Sequence, residues 1–246
     1  MYTFDGRIRY SETAEDGYLK IESLIDYFQD CSSFQSEDLG VGNDYLKAHH
    51  CAWIVNFWQI DILRLPRLGD YVRTGTSPYS LKGFMGFRNF MMSTQEDERL
   101  VNANSVWSLF DLDKAVPVRV TDEMTKGYEL FPKFDMEYLP RKITYDPEAM
   151  RAAAPVEVDG SMMDSNHHMN NAQYVRLALG FTDSRDHKRI RRILVEYRQQ
   201  AHAGDVIYPG ILERENGDGT RTVTVSLSDA EGRPYAVVET TADYNH

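Results

Sequence analysis

The sequence predicts an α+β protein in which one helix is followed by several strands and the same order then repeats. The chain has 246 residues, of which 42% are hydrophobic and 12% aromatic, enough for a sizeable buried core. Two segments carry apolar residues at helical spacing, and each precedes segments rich in β-branched and aromatic residues. Runs of strands beside a single helix favour an α+β architecture over alternating βαβ units.

The two helices are predicted from apolar residues that recur at spacings of three and four, which places them on one face. The first stripe consists of Tyr18, Leu19, Ile21, Leu24, Ile25 and Phe28. The second stripe consists of Tyr174, Leu177, Ala178 and Phe181.

Strands are predicted after each helix. The candidates of the first half are Trp53–Ile62, Phe87–Met92 and Ser105–Leu109, which are rich in β-branched and aromatic residues. In the second half, Val223, Val225 and Leu227 alternate with threonine and serine, which predicts a half-buried strand.

A short local similarity indicates a duplication. The segments ILRLPRLGDYV and YRQQAHAGDVI both centre on a Gly-Asp pair, Gly69-Asp70 and Gly204-Asp205, which lie 204 − 69 = 135 positions apart. The two helices lie further apart than this offset, so one half needs an insertion. We expect an N-terminal domain over 1–131, a proline-containing linker over 132–155 and a C-terminal domain over 156–246.

Charge and composition exclude several classes of protein. The net charge of −11 argues against a general nucleic-acid binder and against simple adhesion to anionic membranes. We find neither a secretory signal nor an apolar run of the ~20 residues that span a bilayer. Two cysteines, Cys31 and Cys51, are too few for a disulfide scaffold, so we expect a cytoplasmic protein.

The most distinctive string runs from Asp164 to Asn171, DSNHHMNN, immediately before the second helix. Polar residues at this point can serve simply as helix caps, which explains one or two of them. Thioester hydrolysis would use the rest: a histidine shuttles protons near neutral pH, and a carboxylate orients it or acts as base or nucleophile. Backbone N–H groups of the first helical turn could stabilise the oxyanion.

This string resembles the active-site motif of the acyl-ACP thioesterases of plants and bacteria, Asp-x-Asn-x-His-x-Asn-Asn. The resemblance extends to the later VEYR segment and, in the first half, to TAEDGYLKIESLIDYFQD, ILRLPRLGDYV and Ser105-Val-Trp107. It implies two tandem hotdog domains, each a long helix packed on a curved antiparallel sheet. It also implies hydrolysis of fatty acyl-ACP to free fatty acid and holo-ACP.

The resemblance implies catalytic roles for Asp164, Asn166 and His168. The family strand motif ends Tyr-Arg-Arg-Glu-Cys, whereas this chain has Gln200 in place of the glutamate and Ala201 in place of the cysteine. Alanine cannot be a nucleophile and glutamine cannot be a base, so base duty falls on Asp164 or His168. We expect Gln200 to hold the attacking water.

A basic run near the site suggests how the carrier protein docks. Lys188, Arg189, Arg191 and Arg192 form part of this run, which suits an acidic carrier protein and its phosphopantetheine arm, although it could equally be a solvated loop. By the resemblance, the first half holds the acyl chain, with Trp53, Met85 and Trp107 as candidate lining residues or as ordinary core.

Other functions stay open at this stage. An acyl-CoA thioesterase, a hotdog dehydratase or a non-catalytic acyl-chain binding protein would each fit parts of the pattern. We expect no cofactor and no metal site, because adjacent histidines such as His49-His50 and His167-His168 point in different directions. A homodimer is compatible with this architecture.

Overall fold

The computed structural model describes residues 1–182 and 189–244. The chain separates into two compact units, one formed by Met1–Leu19 and Leu24–Leu139, the other by Lys20–Ser23 and Pro140–His246. Each unit combines a helix with an antiparallel sheet, so the predicted α+β class and the tandem hotdog arrangement are confirmed. The expected domain limits at 131 and 156 stay a prediction.

The first unit is built on a sheet of five long strands in the order β1-β3-β4-β5-β2, all antiparallel. Its elements are β1 (Tyr2–Arg7), α1 (Ile21–Asp38), α2 (Asn43–Ala48), β2 (Cys51–Ile62), β3 (Tyr71–Lys82), β4 (Met85–Thr94), β5 (Arg99–Asp111), β6 (Val116–Pro117) and α3 (Asp122–Thr125). The three strands predicted here and helix α1 are confirmed, whereas β1, which precedes the helix, β3 and β6 were not predicted.

Aromatic side chains attach α1 to this sheet. The ring of Phe28 in α1 lies 6.0 Å from that of Trp58 and 5.4 Å from that of Phe90, and all three side chains are fully buried. Burying an aromatic or branched side chain stabilises the fold by about 1.5–3 kcal/mol. The predicted stripe continues through Leu24 and Ile25, which are also fully buried.

The second unit has the strand order β9-β12-β11-β10-β7, with the short strand β8 paired to β10. Its elements are β7 (Arg151–Ala152), β8 (Val156–Glu157), α4 (Asn171–Gly180), β9 (Ile190–Tyr197), β10 (Val206–Glu215), β11 (Thr220–Ser228) and β12 (Pro234–Asp243). Helix α4 packs on β11 and β12 and buries Tyr174, Val175 and Ala178. Phe181, the last residue of the predicted stripe, caps the helix.

Strand β11 differs from the expectation of one buried and one solvated face. Its alternating threonines and serines, from Thr222 to Ser228, are buried along with the valines and Leu227. The polar face is buried because other groups of this unit satisfy it: Thr224 donates to Glu239, and Tyr145 shares a hydrogen bond with Ser226. The half-buried prediction was therefore wrong.

The internal repeat is visible in the backbone. An isolated antiparallel bridge closes the turn before each helix, Thr13 with Leu19 in the first unit and Met163 with Met169 in the second. These turns lie 163 − 13 = 150 positions apart, whereas the Gly-Asp turns lie 135 apart. The first unit accommodates the difference through α2 and a longer helix, since α1 has 18 residues and α4 has 10.

Candidate active site

The Asp164–His168 segment forms a tight turn at the entrance to α4. The amide of Asp164 donates to the carbonyl of His168 at 2.8 Å, and the amide of His167 donates to the carbonyl of Asp164 at 3.1 Å. His167 stands in the left-handed region with φ +61°, a conformation that few residues other than glycine adopt. The turn therefore holds Asp164 and His168 next to each other at its closing end.

The carboxylate of Asp164 is tied to this turn. Its Oδ1 accepts the amides of Asn166 at 2.8 Å and His168 at 3.2 Å. The side chain is half-buried, and Oδ2 has no hydrogen-bond partner among residues 1–182 and 189–244. One oxygen thus fixes the carboxylate while the other can interact with a neighbour or a ligand.

The first unit shows that the turn does not need this carboxylate. There the amide of Ala14 donates to the carbonyl of Tyr18 at 2.9 Å, and the amide of Gly17 donates to the carbonyl of Ala14 at 3.0 Å. The same backbone frame thus forms with alanine where the second unit has Asp164. In the first unit the amide of Tyr18, equivalent to that of His168, is instead accepted by Asp16 Oδ1 at 3.1 Å. Both turns therefore use a carboxylate, and the second unit places it at the first position of the turn.

Helix α4 is capped by the asparagine that follows the turn. The side chain of Asn170 accepts the amide of Ala172 at 2.8 Å, so this first-turn amide is already satisfied. The capping interpretation of the string is correct for Asn170. It removes the amide of Ala172 from the donors that could stabilise an oxyanion.

His168 is half-buried beside Asp164. Burial and then the nearby charge of His202 lower the pKa of His168, and Asp164 opposes this shift only in part. A pKa below the ordinary 6.5 of histidine leaves the imidazole neutral at neutral pH. A neutral imidazole can accept a proton, which is the property that a general base needs.

His202 was missed in the sequence. Its ring lies 5.2 Å from that of His168 with an interplanar angle of 71°, an edge-to-face contact. Its amide donates to Asp205 Oδ2 at 2.8 Å, and its Nδ1 lies 3.8 Å from the same oxygen. The signal was present in the repeat, because His202 belongs to the Gly-Asp turn that the two halves share.

Two hydrogen bonds join the segment after β9 to the turn and to helix α4. The amide of Met169 donates to the carbonyl of Ala201 at 3.0 Å, and the amide of Ala201 donates to the hydroxyl of Tyr174 at 2.9 Å. Burial raises the pKa of Tyr174 to about 12, so this hydroxyl stays protonated at neutral pH. Ala201 is fully buried and therefore has a structural position.

The remaining residues of the predicted cluster are exposed. The side chains of Asn166 and Gln200 make no hydrogen bond to any residue that the structure describes. Gln200 precedes Ala201, whose carbonyl is bound to Met169, so it lies close along the chain to the turn. The structure thus brings Asp164, His168 and His202 together and leaves two amide side chains free to meet a ligand.

The candidate acyl-pocket residues lie on neighbouring strands of the first unit. Trp53 is on β2, Met85 on β4 and Trp107 on β5, and all three are half-buried. A Cβ placed on Gly86 would lie 3.1 Å from the Trp53 ring, so this tryptophan covers the strand that carries Met85. The indole of Trp107 donates to Ser105 at 2.6 Å.

The basic run is only partly described. Lys188 lies outside the described residues, while Arg189, Arg191 and Arg192 are inside them. Arg191 donates to Asp243 at 2.8 and 2.6 Å, so its charge is already paired on the surface of the sheet. Arg189 and Arg192 also interact with other residues.

Within ranges 1–182 and 189–244, no helix is both long and apolar enough to cross a membrane. In the same part of the chain, no group of three or more histidine, cysteine, aspartate or glutamate side chains is arranged to hold a metal ion.

Both units of this chain match models of a known protein family. The model of the Acyl-ACP thioesterase N-terminal domain matches residues 1–128, and that of the Acyl-ACP thioesterase C-terminal domain matches residues 146–241. A curated relative, the chloroplastic acyl-[acyl-carrier-protein] hydrolase FATB3 of Cuphea viscosissima, is 24% identical over 261 residues. This alignment covers 92% of the chain but 61% of the relative, so the chain spans less than two thirds of that protein's length.

Two solved structures have the same fold. An acyl-ACP thioesterase from Bacteroides thetaiotaomicron has a TM-score of 0.83 at 19% identity, covering 97% of this chain and 96% of its own. A 12:0-ACP thioesterase from Umbellularia californica has a TM-score of 0.79 at 17% identity, covering 98% of this chain and 93% of its own. Because the two matching models account for both units, the chain belongs to the acyl-ACP thioesterase family.

Proposed function

We propose that the chain hydrolyses fatty acyl-ACP thioesters to free fatty acid and holo-ACP. The observation that carries this proposal is a half-buried histidine, His168, whose pKa is lowered by burial beside the carboxylate of Asp164. Membership of the family supports the same reaction. This reaction would end fatty acid chain elongation by releasing the chain from its carrier.

In the proposed reaction, His168 is the general base. Its neutral imidazole takes a proton from water while the water oxygen attacks the thioester carbonyl carbon. The C–S bond then breaks, and the imidazolium returns the proton to the departing thiolate. The products are a fatty acid and the thiol of the carrier's phosphopantetheine arm.

Asp164 assists the imidazolium that forms on His168. Its negative charge favours the protonated form of the neighbouring ring, and its hydrogen bonds to the turn keep it in place. This assignment chooses between the two bases left open by the sequence. With one oxygen committed to two backbone amides, Asp164 is better placed to stabilise charge than to attack the substrate.

The amide side chains of Asn166 and Gln200 are the proposed contacts to water and substrate. Both are exposed and have unused donors and acceptors, and a side-chain amide can donate to a developing oxyanion or accept from a water. Gln200 cannot take a proton, so its proposed role is limited to holding the water.

The partner in this proposal is an acyl carrier protein. Arg189 and Arg192 are candidate contacts for its acidic surface, and Trp53, Met85 and Trp107 are candidate contacts for the acyl chain. We also propose action in a reducing compartment such as the cytoplasm, because Cys31 and Cys51 are free thiols and Cys31 is fully buried. A homodimer stays a prediction.

A release assay with the variant His168→Gln tests the proposal. We expect purified chain to release free fatty acid from acyl-ACP and His168→Gln to lower kcat by about 10²–10⁴-fold, because glutamine cannot take the proton of the attacking water. The matched control is His49→Gln, an exposed histidine at the end of α2, which should hydrolyse acyl-ACP at the wild-type rate. Thermal unfolding of all three proteins shows whether they are equally folded.

Other outcomes identify the alternatives. Hydrolysis of acyl-CoA without hydrolysis of acyl-ACP would indicate an acyl-CoA thioesterase, with CoA as the carrier in place of the acyl carrier protein. Loss of water from a hydroxyacyl chain without hydrolysis would indicate a dehydratase. Binding of acyl-ACP with no release of fatty acid at any chain length would indicate an acyl-chain binding protein and overturn the hydrolytic function.

A further inference from the structure

The edge-to-face contact between His168 and His202 is unexplained by the roles assigned so far. His202 is not part of the Asp-x-Asn-x-His string, and it reaches the site from the turn that follows β9. That turn is fixed by the two hydrogen bonds of Ala201 and by the bond from the His202 amide to Asp205. We call the turn from His202 to Asp205 the corner of the second unit. The ring of His202 is therefore carried by a rigid backbone, although the side chain is 58% exposed.

The first unit contains the same corner with different side chains. The amide of Arg67 donates to Asp70 Oδ2 at 2.8 Å, as His202 does to Asp205, and Gly69 and Gly204 both have positive φ, +87° and +91°. The guanidinium carbon of Arg67 lies 4.9 Å from the centroid of the Tyr18 ring.

The two corners therefore share one geometry in which a cationic or ionisable side chain faces the ring at the end of the preceding turn. Tyr18 and His168 occupy equivalent positions in the two turns, as do Arg67 and His202 in the two corners. The contact in the second unit is thus a feature of the duplicated backbone, and only the second unit places two imidazoles in it.

We propose that His202 is a positioning residue for His168, which holds the imidazole by the edge-to-face contact and keeps it unprotonated until it accepts the proton of the attacking water. This inference rests on the proposed hydrolysis for its purpose, although the interaction itself can be measured without substrate. His202 would thereby tune the base in a site where Gln200 supplies no carboxylate.

The charges around His168 decide the direction of the effect. Among the residues that the structure describes, three titratable groups face it: His202 and His167, each of which disfavours the imidazolium when it carries a proton, and Asp164, which favours it. The Oδ2 of Asp205 lies 3.8 Å from the Nδ1 of His202, and Tyr235 hydrogen-bonds to Asp205. Removing the charge at position 202 should therefore raise the pKa of His168, and a permanent charge there should lower it.

Two substitutions of opposite sign test this effect. His202→Gln removes the ionisable ring, and His202→Arg replaces it with a permanent positive charge, copying the arginine that the equivalent corner of the first unit accommodates. NMR titration of the imidazole protons, with His168 assigned by its absence in His168→Gln, follows the pKa of His168 without any substrate. We expect the pKa of His168 to be about half a pH unit higher in His202→Gln than in His202→Arg, as Coulomb's law gives for one charge ~5 Å away in a water-like dielectric.

The pH profile of acyl-ACP hydrolysis provides the second measurement. On the acid limb, this half-unit difference corresponds to a kcat/KM about threefold lower in His202→Gln than in His202→Arg. KM for acyl-ACP should not change, because His202 acts through His168. The matched control, His49→Gln, should move neither the His168 titration nor the profile.

The outcomes separate the inference from the proposed function. If the chain releases no fatty acid but the NMR shifts are found, the function fails while the contact between the two rings stands. If the chain is active and both variants leave the His168 titration and the acid limb in place, or move them in the same direction, His202 has no positioning role and the inference is overturned.

Discussion

At the scale of single residues, the proposed chemistry depends on the surroundings of a side chain more than on its residue type. Of the five histidines that the structure describes, His168 is distinguished by its half-burial in a turn beside Asp164. Burial disfavours the imidazolium and a nearby carboxylate favours it, so the lowered pKa of His168 means that burial and the neighbouring histidines outweigh Asp164. The base is therefore neutral at neutral pH and still able to hold a proton briefly.

Asp164→Asn tests the role of the carboxylate. Asparagine retains an Oδ1 that can accept the amides of Asn166 and His168, so we expect the turn and the melting temperature to be preserved. Because the negative charge that stabilises the imidazolium is lost, kcat for acyl-ACP should fall by about 10²–10⁴-fold. Fatty acid release at the wild-type rate by Asp164→Asn would contradict this assignment.

At this scale the sequence identified Asp164, Asn166 and His168 as a cluster, and the structure brings Asp164 and His168 into one turn. The repeat includes His202 in the shared Gly-Asp turn but does not show that its ring meets His168, because that contact depends on how the segment after β9 meets the turn. The residues that fix that meeting, Ala201 and Tyr174, are a buried alanine and a helix tyrosine, which carry no recognisable pattern of their own.

At the scale of elements, the turn before α4 is one of four described places where a residue other than glycine has a positive φ, the others being His50, Asp97 and Ala115. His167 has φ +61° where the equivalent residue of the first unit is Gly17, at φ +79°. A side chain with a branched Cβ is the least compatible with this region. The turn thus accepts a costly backbone conformation directly beside the proposed base, which is common at functional sites.

His167→Val should therefore destabilise the chain. We expect the free energy of unfolding in urea to fall by about 1–2 kcal/mol, the cost of a left-handed conformation for a residue with a Cβ that is poorly suited to it. His49→Val is the control, since His49 is also exposed but has φ −100°. Equal losses in the two variants would show that strain in the turn is not the cause.

Elements were predicted from two kinds of sequence signal. Helices α1 and α4 were predicted from an apolar face at helical spacing, and strands β2, β4 and β5 from their enrichment in β-branched and aromatic residues. Strand β11 was found but its burial was not, since the partners of its serines and threonines come from Tyr145 and Glu239, distant in sequence. Strand β1, YTFDGR, is half-exposed and was not found.

At the scale of the whole molecule, charge opposes the proposed partner. A chain with a net charge of −11 repels an acidic carrier protein at long range, so docking requires a local basic surface. Arg189 and Arg192, which belong to the basic run predicted from the sequence, are the candidates. Salt screens exposed charges. The dependence of KM on salt concentration therefore shows whether the long-range repulsion or the local attraction to the basic surface dominates.

We expect KM for acyl-ACP to rise as ionic strength is raised, because screening weakens contacts to the basic surface. The double substitution Arg189→Gln, Arg192→Gln should raise KM and flatten this dependence, whereas Arg221→Gln, on β11 and paired with Glu213, should not. Acyl-pantetheine, which lacks the carrier protein, should show a salt-independent KM. A KM for acyl-ACP that falls with salt would mean that overall repulsion governs the encounter.

Because the turns and corners of the two units match, the first unit is an internal reference: it has the same backbone without the proposed catalytic side chains. Ala14, Gly17, Tyr18 and Arg67 stand in the first copy where Asp164, His167, His168 and His202 stand in the second, on the same backbone hydrogen bonds. In a duplicated backbone, one copy can carry the catalytic side chains while the other copy does not have to. Grafting the second set of side chains onto the first copy is therefore a problem of side chains alone, with the scaffold already in place.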